Sequence, residues 1–123
     1  LDELIVGAGV SGLYQLHRLR ELGFAVKSVD AAPDVGGTWY WNAYPGARVD
    51  SPANVYQYWF SDELLDEWEW SERFPAQSEI KRYLHHVADK FDLRRDIELK
   101  TSVESATWDE RTQRWQVKTD QII

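Results

Sequence analysis

A chain of 123 residues, 43% of them hydrophobic, is long enough for one modest domain around one core and too apolar for a disordered segment. Its formal net charge of −7 opposes phosphate backbones and so argues against a nucleic-acid partner, and no apolar run is long enough to cross a bilayer. Cysteine is absent, which removes disulfides, thiolate metal sites and cysteine nucleophiles; with no basic-then-apolar leader, a cytoplasmic setting is expected.

Leu4-Ile5-Val6 is a short apolar run that predicts a buried strand. The turn Gly7-Ala8-Gly9-Val10-Ser11-Gly12 follows at once, and Leu13, Leu16, Leu19 and Leu22 then recur at helical spacing until Gly23 supplies a stop. Residues 24–29 predict a second strand ending at Asp30. Strand, glycine turn, helix, strand and acid together make one βαβ unit with a parallel pair.

Residues 33–52 differ. They hold Gly36, Gly37, Pro45 and Gly46 and show neither helical nor strand periodicity. A loop of this length in a compact domain is usually functional or disordered, and its aromatic content argues against disorder. The chain has seven tryptophans, and five of them, at positions 39, 41, 59, 68 and 70, fall in or just after it. Such a cluster needs a large flat surface to cover: a core, another domain or an aromatic cofactor.

Ser61 to Trp70 is acidic with interspersed Leu and Trp and reads as a short helix. Residues 78–91 carry the clearest helical pattern, with Ile80, Tyr83, Leu84, Val87, Ala88 and Phe91 on one stripe and Ser78 as the expected N-cap. Residues 97–100 predict a third parallel strand. Residues 103–108 and 114–119 flank the polar turn 109–113 as a hairpin. His85 and His86 lie off the apolar stripe and are expected to be solvated. The acidic run 62–72 is expected to be a solvated face, and Trp59, Trp68 and Trp70 to be packing residues. No spacing suggests a metal site.

The pattern Gly7-x-Gly9-x-x-Gly12 has a specific physical basis. The first glycine permits a tight turn off the strand, the second lets backbone approach a pyrophosphate, and the third lets helix pack close on strand. The helix start then offers unpaired N–H groups and a partial positive charge to phosphates. Asp30 lies about 20 residues on, where a carboxylate accepts ribose hydroxyls and disfavours a 2′-phosphate. This pattern fits FAD and NAD equally.

Gly36-Gly37-Thr38-Trp39-Tyr40-Trp41-Asn42 and Tyr44-Pro45-Gly46-Ala47-Arg48-Val49-Asp50 form one continuous loop that resembles the stretch after the second strand of Baeyer–Villiger monooxygenases. The resemblance continues through Glu67–Glu72, Tyr83–Arg94 and Arg114–Val117, and so covers essentially the whole chain. It implies an α/β, Rossmann-like FAD-binding domain with a parallel sheet and an inserted antiparallel β-meander, represented by its N-terminal part over residues 1–123. It implies FAD and NADPH as cofactors. The implied reaction inserts oxygen from O2 next to a ketone carbonyl through a peroxyflavin, giving an ester or lactone. Carried onto this sequence, the family pattern assigns Gly7, Gly9, Val10, Ser11 and Gly12 to the pyrophosphate and Asp30 to the ribose. It runs Gly37, Thr38, Trp39, Tyr40 and Trp41 along the flavin and sets Tyr56 close to it. Arg48 and Val49 fall near the nicotinamide, and Val103 meets the adenine. Asp50 falls near both rings as the one catalytic candidate in the chain, paired in relatives with an arginine that this chain does not contain; the remainder of the same enzyme is therefore an expected partner.

Ala43 stands where relatives often carry arginine and Val49 where many carry cysteine, while Ser51-Pro52-Ala53-Asn54 replaces a more acidic stretch. These departures bear on substrate more than on cofactor. The alternatives are a flavin-containing monooxygenase oxidising nitrogen or sulfur, and a non-catalytic FAD-binding module.

Overall fold

The computed structural model describes residues 1–121. The chain opens with β1 (Glu3–Val6), turns through the glycines into α1 (Val10–Glu21) and returns as β2 (Val26–Val29). The two strands run parallel with Glu3 opposite Val26 and Val6 opposite Val29. Leu13 and Leu16 are fully buried beneath the helix, as their spacing predicts. β2 is shorter than expected at its start. Gly23 takes φ +87° after α1, and the N–H groups of Gly23 and Phe24 bond back to the carbonyls of Arg20 and Leu19. That is a Schellman cap, so Phe24 serves the helix end rather than the strand.

Four helices follow: α2 (Thr38–Trp41), α3 (Ala53–Tyr56), α4 (Asp62–Glu67) and α5 (Gln77–Lys90). The long loop therefore contains the single turn α2. Ser61 caps α4 by accepting from Leu64 N at 3.2 Å. Ser78 does not cap α5: the cap position is two residues earlier, at Ala76, and the helix begins at Gln77. Tertiary contacts set that start, because Gln77 N bonds to Ala47 O and Ala76 bridges Arg48. A 3-10 turn, Arg94–Asp96, leads into β3 (Ile97–Glu98), which pairs parallel with β2 and completes a sheet of order β1-β2-β3. The third strand stops short of Lys100, whose φ of +53° leaves the strand region.

β4 (Thr101–Asp109) and β5 (Arg114–Gln121) form an antiparallel hairpin with a register shift between Val103 and Ser105. The described residues thus contain two strands of the expected meander. Its turn is held by Asp109 Oδ1, which accepts from Arg111 N at 2.9 Å.

The core joins α1, the sheet and α5 through Ile5, Leu13, Leu16, Ile80, Leu84 and Val87. α5 buries the stripe read from its sequence, including Tyr83 and Ala88. Val6, by contrast, is 69% exposed. Among the described residues β1 pairs only with β2, so its outer edge is bare.

Candidate cofactor site

The site begins where β1 meets α1. A Cβ on Gly12 would lie 2.0 Å from the Gly7 carbonyl oxygen, so only glycine lets the helix sit this close to the strand. Gly9 occupies the N-cap position; no side chain caps α1 and no acidic residue stands in its first turn. The N–H groups of Val10, Ser11 and Gly12 therefore lack an intrahelical acceptor, and the positive end of the helix dipole is not neutralised. Ser11 is exposed at this end. Beneath it the buried Tyr58 donates its hydroxyl to Val10 O.

Asp30 closes the turn from the other side. Its Oδ2 accepts Ala8 N at 2.6 Å and its Oδ1 accepts Ala32 N at 2.8 Å. A carboxylate offers about four lone-pair sites. Two are used by the backbone, and two remain for a diol. Thr101 N bonds to Asp30 O, which brings the start of β4 beside this residue. Val103, two residues further, is half-buried at the hairpin bulge.

The second glycine motif docks on the first. Gly36 N bonds to Ala8 O at 3.0 Å. Gly37, at φ +55°, lies so near Gly9 that a Cβ on it would be 2.8 Å from Gly9 Cα. α2 follows directly. Trp39 is buried; its indole N–H donates to Tyr56 Oη at 2.8 Å, and the rings meet edge to face with centroids 5.9 Å apart. Gln77 donates its amide to Trp39 O. Tyr40 is half-buried under the Lys81 ammonium, which lies 5.1 Å from its ring centroid. Thr38 is exposed, and Trp41 is 62% exposed.

The candidates further along the loop diverge. The Val49 side chain is in the core, so only its backbone is presented. Arg48 is exposed and engaged on the protein surface, with Glu72 Oε2 and Phe74 O each 2.7 Å from its Nη1. Asp50 is exposed. It does not cap α3, whose cap position is Pro52 with no side-chain bond.

Several side chains differ from their sequence reading. Trp59 is 64% exposed rather than packed, and its indole N–H donates to the nearby Asn54 O. Trp68 and Trp70 do pack, both against Tyr83. His85 and His86 are partly buried and face carboxylates: His85 Nε2 lies 3.0 Å from Asp34 Oδ2, and His86 Nε2 lies 2.6 Å from Glu67 Oε1. The acidic run is not only solvated, since Glu63 and Glu67 hold Lys90 and Glu72 holds Arg48. Hydrogen bonds from His86 and Lys90 hold the Glu67 carboxyl below its ordinary range.

Ala8 and Tyr58 shape the site without a role read for them in the sequence, and Gly36, read as part of the loop motif, joins them through its N–H bond to Ala8 O. The alternation Tyr56-x-Tyr58-x-Phe60 is the one signal that could have marked Tyr58. Burial pushes the Tyr58 phenol up, and pushes Tyr83, which accepts from Tyr58 N, up to about 12. Both stay neutral hydrogen-bonding groups. No cluster of His, Cys, Asp or Glu among the described residues could hold a metal ion, and no helix there is long and apolar enough to cross a membrane.

The family model for the NAD(P)-binding Rossmann-like domain matches residues 5–68. An acetone monooxygenase (methyl acetate-forming) from Gordonia sp. (strain TY-5) is 56% identical over 119 residues, covering 97% of this chain and 22% of that protein. A Baeyer–Villiger monooxygenase from Pseudooceanicola batsensis is 48% identical over 120 residues, again covering 97% of this chain and 22% of its own length. The solved structure of OTEMO in complex with FAD and NADP superposes with a TM-score of 0.92 at 42% identity, over 98% of this chain and 23% of that one. The chain spans about a fifth of the length of the curated relatives it matches. The similarity to these monooxygenases continues through α5 and the hairpin, and the family model, which spans the glycine turn and the aromatic loop, shows that the chain belongs to the NAD(P)-binding Rossmann-like domain family.

Proposed function

We propose that residues 1–123 are the N-terminal part of the FAD/NAD(P)-binding domain of an NADPH-dependent flavin monooxygenase that inserts oxygen next to a ketone carbonyl. The observation that carries this reading is the uncapped start of α1 lying against the docked Gly36–Gly37 loop. A helix start of this kind suits a diphosphate, and the aromatic segment beside it suits a large flat ring.

The residues present fit FAD. Val10, Ser11 and Gly12 would give N–H groups to the diphosphate, Asp30 would take the ribose hydroxyls with its two spare lone pairs, and Val103 would meet the adenine through its backbone. Thr38 to Trp41 and Tyr56 would wall the flavin side, where Trp39 and Tyr56 fix each other. Bound flavin supplies the oxygen chemistry and NADPH the electrons. The chain's part is to bind, orient and exclude water. Asp50, an exposed carboxylate on the loop that follows, would hold a fixed negative charge near the reacting rings and align a cation from outside this chain. Arg48 would take such a role only by leaving Glu72. The ketone, oxygen and the remainder of the enzyme are the partners this reading requires. The acidic charge speaks against nucleic acid, and the setting is cytoplasmic.

Purification of the full-length protein tests the reading. A yellow protein that NADPH bleaches without oxygen, and that converts cyclic or short ketones to esters in air, is expected. A protein that takes up no flavin from excess FAD would overturn it, and oxide formation from amines or sulfides without ester would move it to the N- or S-oxidising class.

A further inference from the structure

One carboxylate outside the glycine turns gathers two cations and a histidine. Asp34 lies two residues before Gly36, in the loop that carries α2. Its Oδ1 accepts Val35 N at 2.8 Å and Arg94 Nη1 at 3.4 Å. Its Oδ2 lies 3.0 Å from His85 Nε2 and 4.0 Å from Lys81 Nζ. The His85 nitrogen is buried and makes no aligned hydrogen bond, so it meets Asp34 as a close polar contact rather than a directed bond. Side-chain exposure at the four residues runs from 26% to 37%, so the group is partly withdrawn from water and its attraction is less screened than that of a surface pair. Arg94 divides itself between Asp34 and Asp89, which it meets at 2.7 Å.

The cluster belongs to a longer row of contacts. Gln77, Lys81 and His85 fall at i, i+4 and i+8 on one face of α5, and each grips the cofactor loop at a different point. Gln77 takes the carbonyl of Trp39, Lys81 spans Asp34 and the face of Tyr40, and His85 meets Asp34. The same loop is the one whose Gly37 lies against Gly9.

We propose that Asp34, clamped by Lys81, His85 and Arg94, is a positioning residue that holds Gly36–Trp41 in the shape its cofactor requires. It touches no reacting atom. The inference rests on the reading of this loop as a flavin wall.

The test uses the full-length holoenzyme carrying Asp34→Asn and, separately, Asp34→Glu. Three quantities are read: the FAD dissociation constant, the visible absorption of bound flavin and the melting midpoint of the apo-protein. Asp34→Asn is expected to weaken FAD about tenfold, in line with loss of a charge-assisted contact, and to shift the flavin spectrum while the apo midpoint holds. Asp34→Glu is expected to recover most of the affinity. An unchanged dissociation constant and spectrum would overturn the proposal, as would a fall in affinity matched by an equal fall in apo stability. Where Asp34→Asn does not fold, Lys81→Met decides by the same two outcomes, since it removes one ion pair and the cation over Tyr40. Wild-type protein that binds no FAD would sink the flavin reading itself; wild-type binding with unmoved variants sinks only the positioning role.

Discussion

Gly9 and Gly37 touch backbone to backbone: a Cβ on Gly37 would lie 2.8 Å from Gly9 Cα, and one on Gly9 would lie 3.2 Å from Gly37 Cα. The contact joins the turn that presents α1 to the loop that presents the aromatic residues, so the two motifs form one surface. Neither backbone can retreat freely, because Gly36 N is bonded to Ala8 O and Gly7 N to Val29 O. Gly37→Ala therefore meets both a left-handed φ and a backbone clash, and is expected to cost about 2–4 kcal/mol. Gly46 offers the control: its φ is +85° but nothing lies within 4 Å of a Cβ there. Gly46→Ala is expected to cost only the conformational part, about 1–2 kcal/mol. Urea midpoints of the two variants check the ordering, and equal losses would mean that the contact adds nothing.

Asp30 ties the end of β2 to the first turn through two amides. Asp30→Ala leaves the Ala8 and Ala32 N–H groups without their acceptor and is expected to cost about 1.5–3 kcal/mol, the range for a hydrogen bond to a charged group. Asp30→Asn keeps one acceptor oxygen and should fall between. The same order is expected in FAD affinity, because the ribose ligand and the turn's support are one side chain. Denaturant midpoints and flavin titrations read the two effects separately. An alanine variant as stable as wild type would show that the turn holds without its carboxylate.

The Trp39–Tyr56 pair links α2 to α3. Tyr56→Phe keeps the ring but strands a buried indole N–H, which is expected to cost about 1–3 kcal/mol. Trp39→Phe removes the donor and leaves a half-buried hydroxyl that water can reach. The double variant should be more stable than the sum of the singles implies, by about 0.5–1.5 kcal/mol, which a double-mutant cycle measures. Additive losses would mean that the two rings act independently.

The βαβ unit was legible because its signals are local. The leucine spacing of α1, the glycine turn and the stripe on α5 each follow from short-range geometry, and each appears where the residues indicate. What was not legible depends on partners distant in sequence. Ser78 has the chemistry of an N-cap, but Ala47 and Arg48 fix the helix start two residues earlier. Phe24 has strand propensity, but the Schellman cap claims it. His85 and His86 lie off the apolar stripe of α5, yet Asp34 and Glu67 arrive from other elements and set a carboxylate against each ring. The site shows the same division. The roles of Gly9 and Gly12 are written in one motif, whereas the docking of Gly37 on Gly9 joins two motifs that no periodicity connects. Val49 has its side chain in the core, which leaves its backbone as the part that can face a cofactor.

His17 gives a pH dependence with a definite sign. Burial holds its imidazole below the ordinary value of 6.5; Glu21 opposes that shift and Arg20 and Arg18 add to it. The ring packs on Phe60 at 4.5 Å and meets the edge of Phe91 at 4.7 Å, while Glu21 stands 3.5 Å from its Nε2. The folded state therefore binds the proton less readily than the unfolded chain, and the unfolded state carries more protons around neutrality. Stability from this group is fully present above pH 6.5 and declines as pH falls below it. The Glu67 carboxyl, also held low, has its ordinary value at 4.5, so its contribution is lost only at more acid pH. The melting midpoint of the wild type is thus expected to drop between pH 7.5 and 5.5. His17→Phe keeps the packing between Phe60 and Phe91 and should flatten that drop. Parallel pH profiles for the two proteins would mean that His17 is as easily protonated in the fold as in the open chain, and that burial against these rings costs the imidazolium nothing.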